Sequence, residues 1–252
     1  MAQIQMFSDT NISVKSKDIP AIDILPAADV LETLGSSAEV NTVILDPWYN
    51  KGVGGTKPDY HEWLATIICA ACEISEHVFV WGFPEILAYQ IPNLPKGFAL
   101  VSWLTWYYKN CPSVIRGWRS AQNACLHLAR EGASVYPEHF LNKEQLARFK
   151  AGKMRFVPGP PSVIEAPLNI GFIRQNEQTG HPAQKPLAVI KPLILMSTQA
   201  DDTVLDPMCG SGTTGEACLQ LNRRAVLCDH SEEYLSITEH RIANYSRSKN
   251  GG

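Results

Sequence analysis

The sequence lacks an apolar run long enough to cross a membrane. None of its hydrophobic stretches approaches the ~20 residues that a membrane-spanning helix requires. The N-terminus also lacks the basic and then apolar pattern that is typical of a secretion signal. We therefore expect a cytoplasmic protein, and a chain of 252 residues is long enough for one α/β domain with a sizeable core.

Residue patterns that hold metal ions are missing as well. The seven cysteines are scattered, and the one close pair, Cys69 and Cys72, has no second pair to complete a zinc site. The seven histidines are likewise dispersed along the chain. We expect no bound metal, and we expect Cys69 and Cys72 to be thiols of the core.

A glycine-rich segment late in the chain has the pattern of a nucleotide-binding turn. Val204 and Leu205 end an apolar run, glycines follow at positions 210, 212 and 215, and a helix-compatible stretch begins at Glu216. A second apolar run then ends at Asp229, whose carboxylate could accept hydrogen bonds from both hydroxyls of a ribose. This order predicts a nucleoside-binding βαβ unit.

The same glycine spacing is compatible with an NAD- or FAD-dependent oxidoreductase. Only 23 residues follow Asp229, too few for the further strands of a doubly wound dinucleotide domain. The remaining strands of the sheet must therefore come from earlier in the chain. A Walker-type phosphate loop is excluded because no Lys-Ser or Lys-Thr follows Gly212.

An early motif points to chemistry at the same edge of the sheet. The run Thr42-Val43-Ile44-Leu45 is typical of a buried parallel strand, and it leads directly into Asp46-Pro47-Trp48-Tyr49. The carboxylate of Asp46 and the carbonyl of Pro47 could hold the two hydrogens of a flat amine beside the ring of Tyr49. The alternative is a simple Asp-Pro turn after a strand.

The charge distribution suggests a polyanionic partner although the net charge is only −3. The segment from Lys109 to Arg155 has nine basic and three acidic residues, so it carries +6 and leaves −9 for the rest of the chain. Aromatic residues lie directly before or among these cations, at Trp106, Tyr107, Tyr108 and Trp118. Phosphate contacts with base stacking would explain this pattern, and a solvated helix face is the alternative.

These motifs together resemble a known family, the S-adenosylmethionine (SAM)-dependent DNA methyltransferases of exocyclic amino groups in the permuted β arrangement. The segment 46–49 resembles their Asp/Asn/Ser-Pro-Pro-aromatic catalytic motif, and 206–213 resembles their Asp-Pro-x-x-Gly-Ser-Gly-Thr cofactor loop. His181-Pro182-Ala183-Gln184-Lys185-Pro186 is similar to the segment that helps to bind the methionine part of SAM. A softer match, 28–34, contains Asp29, which corresponds to a residue near the cofactor's adenine.

The resemblance implies an α/β, Rossmann-like SAM-dependent methyltransferase sheet with helices on both faces, permuted motif order and a small target-recognition insertion. Residues 1–131 would form the catalytic half, 132–180 the insertion and 181–252 the SAM-binding half. The implied partner is DNA, with a homodimer as a further option. The implied reaction is methylation of a flipped base, and Asp at the head of the catalytic motif favours adenine N6 over cytosine N4. An RNA or protein-amide methyltransferase and a noncatalytic nucleic-acid-binding relative remain alternatives.

Motifs, charge and resemblance together predict three groups of site residues. The catalytic group comprises Asp46, Pro47, Trp48 and Tyr49. The SAM-binding group comprises Asp29, Lys185, Asp206, Pro207, Met208, Cys209, Gly210, Ser211, Gly212, Thr213, Asp229 and His230. The nucleic-acid-binding group comprises Lys51, Arg116, Arg119, Lys150, Lys153 and Arg155.

Two features of the catalytic region carry further expectations. Trp48 stands where the family has a second proline, and its indole would either stack beside the flipped base or fill core volume behind Tyr49. The glycine-rich stretch 50–55 could close over a substrate. The pattern also predicts a helix over 59–76, strands over 77–81 and 99–108, and an outer strand of the sheet within 116–131.

Overall fold

The computed structural model describes residues 20–27, 29–51, 55–111, 117–171, 173 and 175–250. Within these ranges it contains eight β-strands and seven α-helices. The strands are β1 (Ile22–Pro26), β2 (Val40–Leu45), β3 (Ser75–Gly82), β4 (Phe98–Tyr107), β5 (Gln122–Arg130), β6 (Val163–Glu165), β7 (Thr203–Asp206) and β8 (Arg224–Asp229). The helices are α1 (Val30–Ser36), α2 (Tyr60–Glu73), α3 (Pro84–Ala88), α4 (Lys143–Lys150), α5 (Leu187–Ser197), α6 (Thr213–Leu221) and α7 (Glu232–Asn250).

The strands form one mixed sheet in the order β1-β8-β7-β2-β3-β5-β4-β6. The first five are parallel, β5 is antiparallel to both β3 and β4, and β6 is parallel to β4. Every strand except β5 therefore points the same way, so their carboxyl ends share one edge. In open α/β sheets, this edge is where ligands bind.

Two hydrophobic clusters cover the faces of the sheet. Strand β2 contributes to both clusters, because Val43, Ile44 and Leu45 are all buried and their side chains alternate between the two faces of the sheet. Ile44 packs with α5, α6 and α7, whereas Val43 and Leu45 pack with α1, α2 and α3. The predicted α/β class with helices on both faces is confirmed.

The position of one predicted strand is wrong. The strand predicted within 116–131 is β5, but it lies between β3 and β4 instead of at the edge of the sheet. It pairs with β3 from Ala124 to Ala129, and its residues 123–129 are all buried, as expected for an interior strand. The three-residue β6 is the edge strand on this side.

The other predicted elements shift at their ends. The helix predicted over 59–76 ends at Glu73, because the chain enters β3 at Ser75. The strand predicted over 99–108 spans Phe98–Tyr107. Of the glycine-rich stretch 50–55, residues 52–54 lie outside the described residues.

The segment 132–180 contains little regular structure, in line with its proline and glycine content. It leaves β5 at the amino edge of the sheet, where Tyr136 N–H donates to the Met196 carbonyl at 2.9 Å and His139 Nδ1 lies 2.7 Å from the Leu195 carbonyl oxygen. These carbonyls belong to the last turn of α5, which leads into the start of β7. The first part of the segment 132–180 is therefore anchored at the edge opposite the carboxyl ends of the parallel strands, and β6 later pairs with β4.

Two negative findings apply to the ranges given above. No helix there is both long and apolar enough to span a bilayer. No three histidine, cysteine or acidic side chains of those ranges are grouped so that they could hold a metal ion.

Candidate functional site

Three predicted carboxylates lie at the ends of three adjacent strands. Asp229 ends β8, Asp206 ends β7, and Asp46 directly follows β2. Since β8, β7 and β2 are neighbours and parallel, the chain brings these side chains to one stretch of the carboxyl edge although 160 residues separate Asp46 from Asp206. The early motif at 46–49 and the late motif at 206–213 therefore lie next to each other at this edge.

The catalytic motif is centred on an ion pair between Asp46 and Lys185. Lys185 Nζ donates to both carboxylate oxygens of Asp46 at 2.6 Å and to the hydroxyl of Tyr49 at 2.8 Å. The Tyr49 hydroxyl in turn donates to Asp46 Oδ1 at 3.1 Å. The Lys185 side chain is only 6% exposed, while that of Asp46 is 23% exposed. Lys185 therefore reaches the catalytic motif, whereas the sequence assigned it to the cofactor.

Tyr49 is held as a neutral phenol. Burial, and then the charge and hydrogen bond of Asp46, raise the pKa of its hydroxyl well above the ordinary value. Its ring packs edge-on against Phe83 with centroids 4.8 Å apart. The hydroxyl is thus oriented toward Asp46 and remains protonated across the physiological pH range.

Trp48 packs away from this cluster. Its indole contacts the rings of Tyr60 and Trp63 in α2, with centroid distances of 5.3 and 4.8 Å, and its carbonyl accepts a hydrogen bond from the Tyr60 hydroxyl. The buried Trp48 Nε1 has no hydrogen-bond partner among the described residues. These contacts favour the role of Trp48 in filling core volume over that of stacking beside a base. Pro47 between it and Asp46 is buried.

Asp206 organises the start of the cofactor loop. Its Oδ1 accepts from the N–H of Met208 at 3.2 Å, and its Oδ2 accepts from the hydroxyl of Thr214 at 2.5 Å. Burial raises the pKa of Asp206 to about 7. The next backbone group, Cys209 N–H, donates to the Cys228 carbonyl at 2.9 Å and ties the loop to β8.

The glycines of the loop have two different functions. Gly210 and Gly212 have φ values of +50° and +70°, which residues with a side chain rarely adopt. A Cβ at Gly210 would lie only 3.0 Å from the ring of His181, so the missing side chain lets that ring pack closely against the loop. Gly215 instead allows α6 to approach β8, because a Cβ there would lie 2.4 Å from Leu227. The residues present therefore fit a nucleoside cofactor bound across the turn.

Asp229 already has partners within the protein. Its Oδ2 accepts from Gly210 N–H at 2.9 Å, and its Oδ1 accepts from Ser231 N–H at 3.0 Å. Each oxygen keeps a further lone pair for a ribose hydroxyl. His230 is far more exposed, with Nδ1 3.3 Å from Asp229 Oδ1. Asp29 caps the start of α1 by accepting from Leu31 N–H at 2.7 Å, also at the carboxyl edge.

Arg241 of α7 is a contributor that the sequence reasoning missed. Its Nη1 donates to the Ser211 carbonyl at 3.2 Å and to the Thr213 hydroxyl at 2.8 Å, and its Nε forms an ion pair with Glu216 at 2.5 Å. The Thr213 hydroxyl donates to the Lys185 carbonyl at 2.9 Å. Arg241 thereby fixes the cofactor loop from behind. Its only signal in the sequence is its place among the apolar residues of a C-terminal helix.

The predicted nucleic-acid residues do not form one patch. Lys51 lies near the catalytic motif, where it pairs with Glu85 at 3.0 Å. Arg119 lies in the loop from β4 to β5, also at the carboxyl edge, with Nη1 3.4 Å from the Cys111 carbonyl oxygen. Lys150, Lys153 and Arg155 are exposed on the insertion, between α4 and Gly159. Arg116 lies outside the described residues.

The aromatic residues of the basic segment also separate. Trp106 and Tyr108 are buried in the core, and the Trp106 Nε1–H donates to the Ala166 carbonyl at 2.7 Å, so the prediction that they stack on bases is wrong. Trp118 is fully exposed. Trp106 at the end of β4 and Tyr108 just after it are two residues apart, so both side chains lie on the same, interior face. Aromatic residues near a basic segment can therefore belong to the core.

Comparison with known proteins places the chain in a family. The family model described as "DNA methylase" (N6_N4_Mtase) matches residues 40–240. The type II methyltransferase M.HpaI of Haemophilus parainfluenzae is 28% identical over 219 residues, which span 81% of this chain and 68% of that protein. The DNA adenine methyltransferase YhdJ of Escherichia coli (strain K12) is 24% identical over 81% of this chain and 76% of its own length.

A solved structure shares the fold. The PvuII DNA methyltransferase (cytosine-N4-specific) superimposes with a TM-score of 0.67 at 17% identity, and the match covers 92% of this chain and 93% of that one. The family match includes the motif 46–49, Lys185, the loop 206–213 and Asp229, whereas Asp29 and Arg241 lie just outside it. The chain therefore belongs to the N6/N4 family of SAM-dependent DNA methyltransferases.

Proposed function

We propose that this DNA methyltransferase modifies the exocyclic N6 amine of adenine after the base has rotated out of the duplex. The observation that carries the proposal is the position of Asp46, whose carboxylate lies beside Tyr49 and on the same sheet edge as the glycine loop. A base inside a duplex cannot reach such an edge, so it must be extruded. The name of YhdJ and the Asp at the head of the motif support adenine.

The residues proposed to act on the amine are Asp46, Pro47 and Tyr49. Bound SAM would supply a methyl group from a sulfonium sulfur: that S–C bond would break as the N–C bond forms, which leaves a neutral thioether, and the surplus proton of the methylated amine would pass to water. Asp46 and the Pro47 carbonyl would accept the two amine hydrogens, which turns the nitrogen lone pair out of the ring plane. The Asp46 carboxylate would also stabilise the positive charge that develops on nitrogen. Catalysis would otherwise come from positioning.

The residues proposed to hold the cofactor surround the loop 206–213. Asp229 would accept from the ribose hydroxyls with its remaining lone pairs, and Gly210 and Gly212 would allow the backbone to approach. Asp29 and His230, which lie at the same edge, would contact the cofactor near its adenine. Residues 181–252 would thus be the SAM-binding half, and residues 1–131 the catalytic half.

DNA is proposed to contact two separate groups of cations. Lys51, Arg119 and the exposed Trp118 lie at the catalytic edge. Lys150 and Lys153 belong to the insertion 132–180, the proposed target-recognition segment, which is too small to read many bases. Electrostatic contacts with phosphates would position the duplex, and few base contacts would specify the site.

Mass spectrometry of nucleosides tests this proposal. Unmethylated DNA is incubated with the protein and SAM that carries a deuterated methyl group, and the digested nucleosides are analysed. We expect labelled N6-methyldeoxyadenosine. Labelled N4-methyldeoxycytidine alone would keep the exocyclic-amine chemistry but overturn adenine as the target. Labelled RNA or protein with unlabelled DNA would overturn the substrate.

A further inference from the structure

The ammonium of Lys185 occupies the position that the proposed function gives to the target amine. It donates to both oxygens of Asp46 and to the Tyr49 hydroxyl. It also lies over two aromatic rings, 5.3 Å from the centroid of Tyr49 and 5.2 Å from that of Trp81. Lys185 thus presents nitrogen-bound hydrogens to the carboxylate between aromatic faces, as a flipped base would.

This arrangement is unfavourable for methyl transfer. The reaction brings a sulfonium to the site and then develops positive charge on the amine nitrogen, so an unpaired carboxylate is needed nearby. With Lys185 bonded to Asp46, the pair is neutral, and its ammonium repels further positive charge in a largely buried site. Asp46 can act fully only when Lys185 has another anionic partner.

The backbone of Lys185 shows where that partner could come from. The Lys185 carbonyl accepts from the Thr213 hydroxyl at 2.9 Å, and Arg241 fixes Thr213. Lys185 is therefore attached to the cofactor loop by its backbone and to Asp46 by its side chain. A four-carbon side chain can turn between two sites while its backbone stays in place. SAM carries an α-carboxylate, which is an anion of the required kind.

We propose that Lys185 is a positioning residue that holds Asp46 in the resting enzyme and releases it when the cofactor's carboxylate binds. The cofactor would then open the base site, and productive binding would be ordered, with SAM before the flipped base. This inference rests on the proposed function, because it takes Asp46 as the acceptor of the target amine.

Binding of DNA in the presence of two cofactor analogues tests the inference. The DNA is a duplex that contains the site which the wild-type enzyme methylates, mapped beforehand on genomic DNA. S-adenosylhomocysteine retains the α-carboxylate, whereas 5′-methylthioadenosine lacks the amino acid part. For wild type, we expect the homocysteine compound to tighten DNA binding about tenfold, within the range usual for coupled sites, and methylthioadenosine to leave it unchanged.

Substitution of Lys185 should remove this coupling. Lys185→Met and Lys185→Ala should bind the duplex about tenfold more tightly than wild type without any cofactor, and S-adenosylhomocysteine should add little. Lys191→Met, a partly exposed lysine of α5, is the matched control and should behave as wild type. Thermal unfolding of each variant identifies any that fail to fold. If one of the two Lys185 variants does not fold, the other still tests the inference.

Two results would overturn the inference. In the first, the Lys185 variants bind SAM more weakly, but their affinity for DNA and the effect of S-adenosylhomocysteine on that affinity remain as in wild type. Lys185 would then only bind the cofactor. In the other, methylthioadenosine tightens DNA binding as strongly as S-adenosylhomocysteine. Failure of the proposed function differs from both, because then wild type itself transfers no methyl group to an exocyclic amine of DNA.

Discussion

The Asp229 carboxylate accepts a hydrogen bond from the backbone N–H of Gly210 at 2.9 Å, and this bond joins the end of β8 to the glycine loop. The bond holds Gly210 in its left-handed conformation, at φ +50°. One side chain can therefore shape the loop and still offer lone pairs to a ribose.

Asp229→Asn should weaken SAM binding by about 1–3 kcal/mol, since charge-assisted hydrogen bonds of the carboxylate are lost. Isothermal titration calorimetry gives the affinity. Asp23→Asn, at a partly exposed position on the neighbouring strand β1, is the control and should leave SAM binding unchanged. Unchanged affinity in a folded Asp229→Asn protein would remove Asp229 from the cofactor site.

Gly215→Ala should destabilise the protein by about 1–3 kcal/mol through overpacking. The added Cβ would lie 2.4 Å from Leu227 Cδ1 and 2.9 Å from Ile242 Cδ1, so these two buried side chains or α6 itself must shift. Gly35→Ala in α1 is the matched control, because nothing lies within 4 Å of its Cβ and alanine favours a helix. Urea unfolding measures both variants, and equal stability of the two would contradict the packing described for Gly215.

The buried pair His77 and His127 should make stability depend on pH. The two rings share a hydrogen bond at 3.1 Å, and burial lowers the pKa of both, that of His127 to about 3. Unfolding returns each pKa to about 6.5, so the unfolded chain binds more protons below that pH. The contribution of His127 to stability should therefore be lost as pH falls from about 6.5 toward 3, by up to ~1.4 kcal/mol per pH unit, and His77 adds a loss in the same direction.

The variant His127→Phe isolates this effect. Phenylalanine can keep the stacking on Phe79, whose ring centroid is 4.3 Å from that of His127, but it cannot bind a proton. Unfolding in urea between pH 4 and 7 should show a shallower loss of stability for His127→Phe than for wild type. The exposed His240→Gln should retain the wild-type slope, and an equally steep slope in His127→Phe would refute the prediction.

The insertion cations should contribute to DNA affinity through released counterions. The triple variant Lys150→Ala, Lys153→Ala, Arg155→Ala should flatten the dependence of log affinity on log salt by about 0.9 for each phosphate contact that is lost. Arg119→Ala tests separately whether a cation at the catalytic edge contributes to the salt dependence of DNA affinity. A triple variant with the wild-type affinity and slope would show that these three residues belong to a solvated face.

The sequence was sufficient to predict those parts of the site whose positions are determined by the ends of strands. Because Asp46, Asp206 and Asp229 each follow a buried apolar run, their presence at one edge could be predicted from the parallel pairing of such strands. The interior position of β5 could not, since it depends on which strands pair and not on the composition of one strand. The contact between Lys185 and Asp46 joins residues 139 positions apart through side-chain conformation, for which the motifs carry no signal.

The basic segment shows a second limit. Counting charges between Lys109 and Arg155 predicted one patch, but β5 carries the chain from the carboxyl edge to the amino edge in the middle of that segment. Cations on either side of β5 therefore begin from opposite edges of the sheet. Sequence distance does not predict spatial distance where a strand of nine residues intervenes.

The proposed methyl transfer depends most directly on Asp46 as the acceptor of the target amine. Its decisive measurement is single-turnover transfer of a labelled methyl group to DNA by wild type and Asp46→Ala, with SAM affinity determined on the same samples. We predict a loss of at least about 10²-fold in the transfer rate, as expected when one group that stabilises the transition state is removed, and nearly unchanged SAM affinity. Transfer by Asp46→Ala at the wild-type rate would contradict the account.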